Sequence, residues 1–126
     1  MRELEAMSRL RSPNTVNVYG AVTSLSDRMV LVMELLAGGD LLAMLKMSKR
    51  PLPEEQSRHI LRDICTGMAF LHSKNTVHGD LKSANVLLDS GGRAKVMIMV
   101  LDRCSTWTGH RVSRSALVCF ASPRAN

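Results

Sequence analysis

The feature that most constrains this chain is a stretch near its middle whose apolar residues recur with the period of an α-helix. Pro53 opens the stretch at a position where proline favours a helix start, and Glu54 and Glu55 follow where carboxylates interact well with the helix dipole. The pattern predicts a helix that ends around residues 72–75. Other elements must cover its apolar face. That face comprises Ile60, Leu61, Ile64, Cys65, Met68 and Leu71.

Two β-hairpins are predicted, one on each side of this helix. Val16–Val22 and Met29–Glu34 are β-like runs joined by a polar turn, which indicates an antiparallel pair. Val86–Leu88 and Ala94–Val100 form a second such pair. The segment 101–126 shows no sustained hydrophobic period, so no regular element is predicted there.

Shorter helices are predicted before the long one. Residues 1–11 have apolar positions at helical spacing, and Pro13 ends that pattern. Asp40 follows a glycine-rich break and is a good N-cap for a helix that reaches about Met47. Strands and helices in this order predict an α+β fold.

Composition limits the chain to one domain or a part of one. Apolar residues make up 45% of its 126 residues, which is enough to bury a core and excludes a fully disordered chain. The net charge is +6, but aromatics are only 3% and do not interleave with the basic residues, so no nucleic-acid partner is expected.

Nothing in the sequence predicts a membrane protein. The apolar runs Met29–Leu36 and Val96–Leu101 are far shorter than the roughly 20 residues that a bilayer helix needs. The charged N-terminus has no apolar signal region, and the three cysteines include no CxxC pair, which is typical of free thiols in an intracellular protein. We therefore expect a cytoplasmic protein without a membrane partner.

The segment that carries chemistry is His78-Gly79-Asp80-Leu81-Lys82-Ser83-Ala84-Asn85, followed directly by an apolar run. It resembles the catalytic loop of the eukaryotic protein kinases, H-x-D-L-K-x-x-N, and its Lys-Ser-x-Asn variant is similar to that of the tyrosine-kinase-like group of Ser/Thr kinases. The competing interpretation is a solvated loop with a chance Asp and Asn.

This resemblance implies a role for each loop residue and implies ATP and magnesium as cofactors. Asp80 would be the catalytic carboxylate that orients or accepts the proton of the substrate hydroxyl. Lys82 would be the second catalytic residue, neutralising the transferring phosphoryl oxygens, and Asn85 would be a magnesium ligand. His78 would support the loop without acting as an acid or base.

The resemblance extends upstream to residues that would bind the nucleotide. The backbone of Glu34 and Leu36 would face adenine, next to Met33 as gatekeeper. Asp40 would accept from the ribose hydroxyls and Leu87 would lie beneath the adenine ring, although Asp40 serves equally as a helix N-cap and Leu87 as an ordinary buried residue. Upstream of these, Glu3 matches the glutamate of the kinase αC helix.

The implied fold is partial: an N-lobe remnant of one helix and antiparallel strands, the hinge, and the start of the helical C-lobe. The expected boundaries are a partial kinase domain over 1–96 and a non-kinase-like, irregular tail over 97–126. The glycine-rich loop and the strand lysine, which would precede Glu3, are absent from the sequence. Ile98 stands where the metal-binding aspartate of Asp-Phe-Gly is expected, so a main magnesium ligand is lost.

The implied activity is ATP-dependent phosphorylation of Ser/Thr in a protein substrate, and we expect this chain alone to be inactive. Three alternatives remain open. The chain could be a non-catalytic, pseudokinase-like module that binds a kinase or scaffold partner. It could be a small basic nucleic-acid binder, or it could be no functional product at all.

Overall fold

In the computed structural model, residues 8–25, 28–98 and 116–121 are described. The strands are β1 (Val18–Leu25), β2 (Arg28–Glu34), β3 (Gly39–Asp40), β4 (Val86–Leu88), β5 (Ala94–Val96) and β6 (Ala116–Ala121). The helices are α1 (Leu41–Met47) and α2 (Glu54–Ser73), with a short 3₁₀ helix at Ser83–Asn85. The predicted α+β class is confirmed.

The first sheet contains the predicted hairpin and one strand that was not predicted. β1 and β2 are antiparallel, with Val18 opposite Met33, and β6 lies parallel to β2 on its other side. β6 falls within the segment for which no element was predicted. Its continuous apolar run lacks the alternation that signals a strand. The domain boundary at 96 remains a prediction.

The second sheet has the order β3-β4-β5 and is antiparallel throughout. The predicted second hairpin is present, but β5 ends at Val96. β3 was predicted only as a break, and its pairing brings Asp40 opposite Leu87. Gly38 permits this pairing because its amide donates to the Leu88 carbonyl (2.8 Å), and an added Cβ would come within 2.7 Å of that oxygen.

The long helix α2 is confirmed, although its buried face differs in part from the predicted one. Leu71 and Ile60 are buried as predicted, whereas Leu61 is 60% exposed. Asp63 and Gly67 take the remaining buried positions. The residues at 60, 63, 67 and 71 are spaced by three and four, which keeps them on one side of the helix.

Two apolar clusters form the core, one on each face of β4, since Leu87 belongs to the first cluster and its neighbours Val86 and Leu88 belong to the second. The first cluster contains Val16, Val18, Met33, Leu36, Leu71, Leu87 and Ile98, and the second contains Leu41, Ile60, Val86, Leu88 and Ala94.

No helix among residues 8–25, 28–98 and 116–121 is long and apolar enough to cross a membrane. Glu3 and most of the predicted helix over 1–11 lie outside the described residues, as does most of the predicted tail.

Candidate active site

The loop between α2 and β4 is anchored from below by His78. This residue is 6% exposed; its Nδ1 accepts a hydrogen bond from the Asp80 amide (3.1 Å), and its Nε2 lies 2.7 Å from the Met97 carbonyl oxygen. Because Nδ1 accepts, Nε2 carries the proton and donates to Met97. Gly79 between them has φ = 77°, a left-handed conformation that favours glycine. The imidazole thus holds the loop in place, as predicted.

Asp80, Lys82 and Asn85 form one cluster at the mouth of this loop. The Asn85 side-chain nitrogen donates to the Asp80 carbonyl (2.8 Å) and to the Asp80 carboxylate (3.2 Å). The Lys82 Nζ is 3.4 Å from the same carboxylate, and both of these side chains remain partly exposed. The 3₁₀ helix that contains Asn85 brings its side chain back towards Asp80. The structure therefore groups the three residues for which the motif predicted catalytic and metal-binding roles.

The predicted nucleotide-binding residues lie at the end of β2, in the segment after it, and along β3 and β4. Leu36 and Leu87 belong to the same apolar cluster and are 8% and 7% exposed. Asp40 accepts from the Ala43 amide at 2.7 Å, so its carboxylate is the N-cap of α1, the competing interpretation of this residue. The Asp40 carboxylate has a second oxygen, so capping does not exclude a further contact.

Glu34 has a side-chain environment that the sequence did not predict. Its Oε1 is 2.6 Å from the Lys95 Nζ, and its Oε2 accepts from the Asn17 amide (2.8 Å). One sequence feature could have indicated this ion pair: Glu34 and Lys95 each interrupt an apolar run. A charged residue in such a run needs a partner when it is buried.

Asp63 is a second buried acid that the sequence did not indicate. Its carboxylate accepts from the Arg93 Nε (2.9 Å) and Nη2 (2.7 Å) and from the Ala94 amide (3.0 Å). Desolvation raises the pKa of Asp63, whereas the hydrogen bonds from Arg93 and Ala94 and the charge of Arg93 lower it. Together these lowering effects exceed the rise, so the pKa of Asp63 lies below its ordinary value. These bonds fix the start of β5 against α2.

The lowered pKa of Asp63 predicts a loss of stability in acid. A carboxyl whose pKa is lower in the folded chain stabilises the fold above its unfolded-state pKa of about 3.9, and this contribution disappears as the pH falls through the folded-state pKa. We expect the difference in unfolding free energy between the chain and Asp63→Asn to be constant above about pH 5 and to shrink below about pH 4. Urea unfolding across this range measures it, and a difference independent of pH would contradict the assignment.

The described side chains do not make a complete magnesium site. Both Asn85 N–H bonds are directed to Asp80, which leaves its amide oxygen for a cation. Ile98, however, is 6% exposed and packed in the first apolar cluster, and it has no oxygen to offer. Within the described part of the chain, no three His, Cys, Asp or Glu side chains converge to hold a metal ion. Among the described side chains, a hard cation would find the Asn85 amide oxygen but no carboxylate at position 98.

Comparison with known proteins gives a consistent result. Residues 1–115 match the family model of protein tyrosine and serine/threonine kinases. The serine/threonine-protein kinase CLA4 of Saccharomyces cerevisiae is 36% identical over 124 residues, covering 94% of this chain but 14% of the relative. The mitogen-activated protein kinase kinase kinase YODA of Arabidopsis thaliana is 39% identical over 95 residues, covering 75% of this chain and 10% of the relative. For the CBL-interacting protein kinase 4 of Oryza sativa the identity is 39% over 97 residues, with 76% of this chain and 21% of the relative covered.

These relatives are much longer than the chain, so the comparison identifies the family and not the activity of a whole protein. The family match includes the loop from His78 to Asn85 and the segment from Met33 to Asp40 that the structure brings near it. The chain belongs to the protein tyrosine and serine/threonine kinase family.

Proposed function

We propose that this chain carries the hinge and the catalytic loop of a Ser/Thr protein kinase domain of the tyrosine-kinase-like group. The activity implied is transfer of the ATP γ-phosphoryl group to a Ser or Thr hydroxyl of a protein substrate. The observation that carries the proposal is that the side chains of Lys82 and Asn85 both contact the Asp80 carboxylate, at 3.4 Å and 3.2 Å. The proposal is further supported by the kinase relatives named above.

In this proposal the loop residues act on the substrate hydroxyl and the phosphoryl group. The hydroxyl oxygen attacks the γ-phosphorus, the bond from that phosphorus to the bridging oxygen breaks to release ADP, and Asp80 accepts the hydroxyl proton. Lys82 places its positive charge beside Asp80, where it would neutralise the phosphoryl oxygens. Asn85 holds the Asp80 carboxylate in position through its amide.

The nucleotide would lie between the segment after β2 and strand β4. The backbone of Glu34 and Leu36 would bind adenine, with Leu87 beneath the ring and Asp40 beside the ribose. Leu36 and Leu87 already share one apolar cluster, which offers the kind of surface on which a purine packs. As a family, protein kinases use ATP with magnesium.

We further propose that the chain as it stands transfers little or no phosphate. Ile98 occupies the position where a carboxylate would be needed, and its side chain is buried among apolar residues. Phosphoryl transfer relies on charge neutralisation around the γ-phosphate, so loss of a metal ligand removes a main source of transition-state stabilisation.

A two-part assay tests this proposal. We expect the chain to bind ATP in a calorimetric titration with an affinity that magnesium does not raise, because Ile98 supplies no ligand. With radiolabelled ATP and myelin basic protein as substrate, we expect no transfer above background.

Two variants separate the possible outcomes of this assay. Asp80→Asn removes the proposed base, whereas Glu55→Gln removes an exposed carboxylate of α2 as a matched control. Transfer by the chain that persists in Glu55→Gln and disappears in Asp80→Asn would confirm the kinase reaction and contradict the proposed inactivity. Absence of ATP binding would contradict the nucleotide site.

A second candidate is the non-catalytic module that binds a kinase or scaffold. Ile98 favours it, and so does the exposed apolar surface at Leu61 (60% exposed) and Met47 (84% exposed). The test compares the binding of a kinase or scaffold to the chain and to two variants. Binding that is lost in Leu61→Glu but normal in Asp80→Asn would support this candidate over catalysis.

A further inference from the structure

The ion pair between Glu34 and Lys95 differs from the exposed pair on the helix. The Glu34 and Lys95 side chains are only 11% and 17% exposed, whereas Glu54 and Arg58 are 86% and 68% exposed. Coulomb attraction is stronger away from water, but each buried charge also loses hydration. A buried pair of this kind therefore favours one relative position of the elements that carry it.

The pair joins the end of β2 to the middle of β5. Glu34 is the last residue of β2, and its amide also donates to the Asn17 carbonyl (2.9 Å), next to the start of β1. Lys95 is the central residue of β5 and lies opposite Leu87 in the second sheet. The contact thus connects the segment proposed to face adenine with the sheet that lies beside the catalytic loop.

Two residues beyond Lys95, and one residue past the end of β5, Met97 holds the catalytic loop at both ends. The Met97 carbonyl accepts from His78, and the Met97 amide donates to the Asn85 carbonyl (2.8 Å). His78 in turn accepts from the Asp80 amide, and Asn85 donates to the Asp80 carboxylate. The Glu34 carboxylate is therefore linked to Asp80 by the ion pair to Lys95, by the backbone from Lys95 to Met97, and by the hydrogen bonds of Met97, His78 and Asn85.

We propose that the Glu34–Lys95 ion pair couples the end of β2 to the catalytic loop and that Glu34 is a positioning residue for Asp80. Its backbone has the role of facing adenine, and its side chain sets the position of β5 and, through Met97, of the loop. The consequence for nucleotide binding rests on the function proposed above. The coupling itself is a property of the free chain.

Hydrogen exchange of the free chain tests the coupling without any ligand. Lys95→Met leaves the Glu34 carboxylate with the Asn17 amide alone. We expect exchange at the Met97 and Asp80 amides to rise about tenfold or more, because loss of one partner leaves a buried charge uncompensated and lowers the cost of local opening. Amides within α2 should be unchanged. Arg58→Gln, which breaks the exposed pair, should change none of them.

Conservative variants keep the test decisive. Lys95→Arg retains the cation and should restore most of the protection at Met97 and Asp80. If Lys95→Met fails to fold, Glu34→Gln serves instead, since glutamine still accepts from Asn17 but loses the charge. A change confined to the amides of residues 34 and 95 would overturn the coupling, as would a lack of protection at Met97 in the unsubstituted chain.

Calorimetric titration with ADP then addresses the nucleotide separately. Weaker ADP binding by Lys95→Met than by Arg58→Gln would support a consequence at the nucleotide site. If the unsubstituted chain binds no ADP, the proposed function fails, while the exchange measurements still decide the coupling.

Discussion

Replacing Asp63 with alanine is expected to lower the free energy of unfolding by about 2–3 kcal/mol. The carboxylate accepts from Arg93 and from the Ala94 amide, and Ala94 is fully buried. The Arg93 side chain is 62% exposed and can turn to water, so its loss contributes little. The cost arises from the Ala94 N–H, which would be left in the core without an acceptor, and from the gap beside α2. Urea and thermal unfolding measure the change.

Two further variants distinguish this buried contact from a general charge effect. Asp63→Asn keeps a carbonyl oxygen for the Ala94 amide and should lose less stability than Asp63→Ala. Glu54→Gln breaks an exposed ion pair on the same helix and should change the unfolding free energy by less than about 0.5 kcal/mol. If Asp63→Ala destabilises no more than Glu54→Gln, the bond to Ala94 does not stabilise the fold.

The Asp63 contact bears on the proposed function because β5 contacts both parts of the candidate site. Asp63 fixes the first residue of β5, the Glu34–Lys95 pair fixes its middle, and Met97 beyond its end holds His78 and Asn85. β5 is only three residues long, and these contacts link it to α2, to β2 and to the catalytic loop. We therefore expect the position of β5 to influence where Asp80 stands relative to the segment that is proposed to bind adenine.

Local signals explain what the sequence predicted about the fold. α2 was predictable because Pro53, Glu54 and the helical spacing of its apolar residues are all encoded within one segment. Both hairpins were predictable from adjacent apolar runs and turns. β3 was not, since a two-residue strand after Gly38 has no periodicity of its own and forms only because β4 lies beside it. β6 pairs with β2 across more than eighty residues, and its lack of alternation hid it.

The candidate site was predictable to the extent that its residues lie in one motif. Asp80, Lys82 and Asn85 are within six residues, so a loop of fixed shape brings them together. The partner of Glu34 lies sixty-one residues away and that of Asp63 thirty, and no periodicity specifies such pairs. The sequence predicted that Ile98 stands in place of the expected aspartate, but only the structure shows that its side chain belongs to the apolar cluster.

Replacing Gly67 with alanine should destabilise the chain although alanine favours helices. An added Cβ at position 67 would lie 2.5 Å from the Asn14 carbonyl oxygen, which is backbone and cannot rotate away. That oxygen accepts from the Val96 amide at 2.8 Å, so moving it would disturb the bond that holds residues 14–16 against β5. Helix propensity gains about 1 kcal/mol, but overpacking costs of about 1–3 kcal/mol and the lost hydrogen bond outweigh it. We expect a net loss of unfolding free energy of about 1–3 kcal/mol.

Gly20→Ala is the matched control, because within the described part of the chain no atom lies within 4 Å of a Cβ added at this position of β1. This variant should leave the unfolding free energy unchanged or raise it slightly, since alanine loses less backbone entropy on folding than glycine. Hydrogen exchange at the Val96 amide should increase in Gly67→Ala alone, because only there does the acceptor on Asn14 move. If Gly67→Ala were as stable as Gly20→Ala and kept Val96 protected, propensity would outweigh packing, and the close approach of Asn14 to α2 would not be what holds β5 in place.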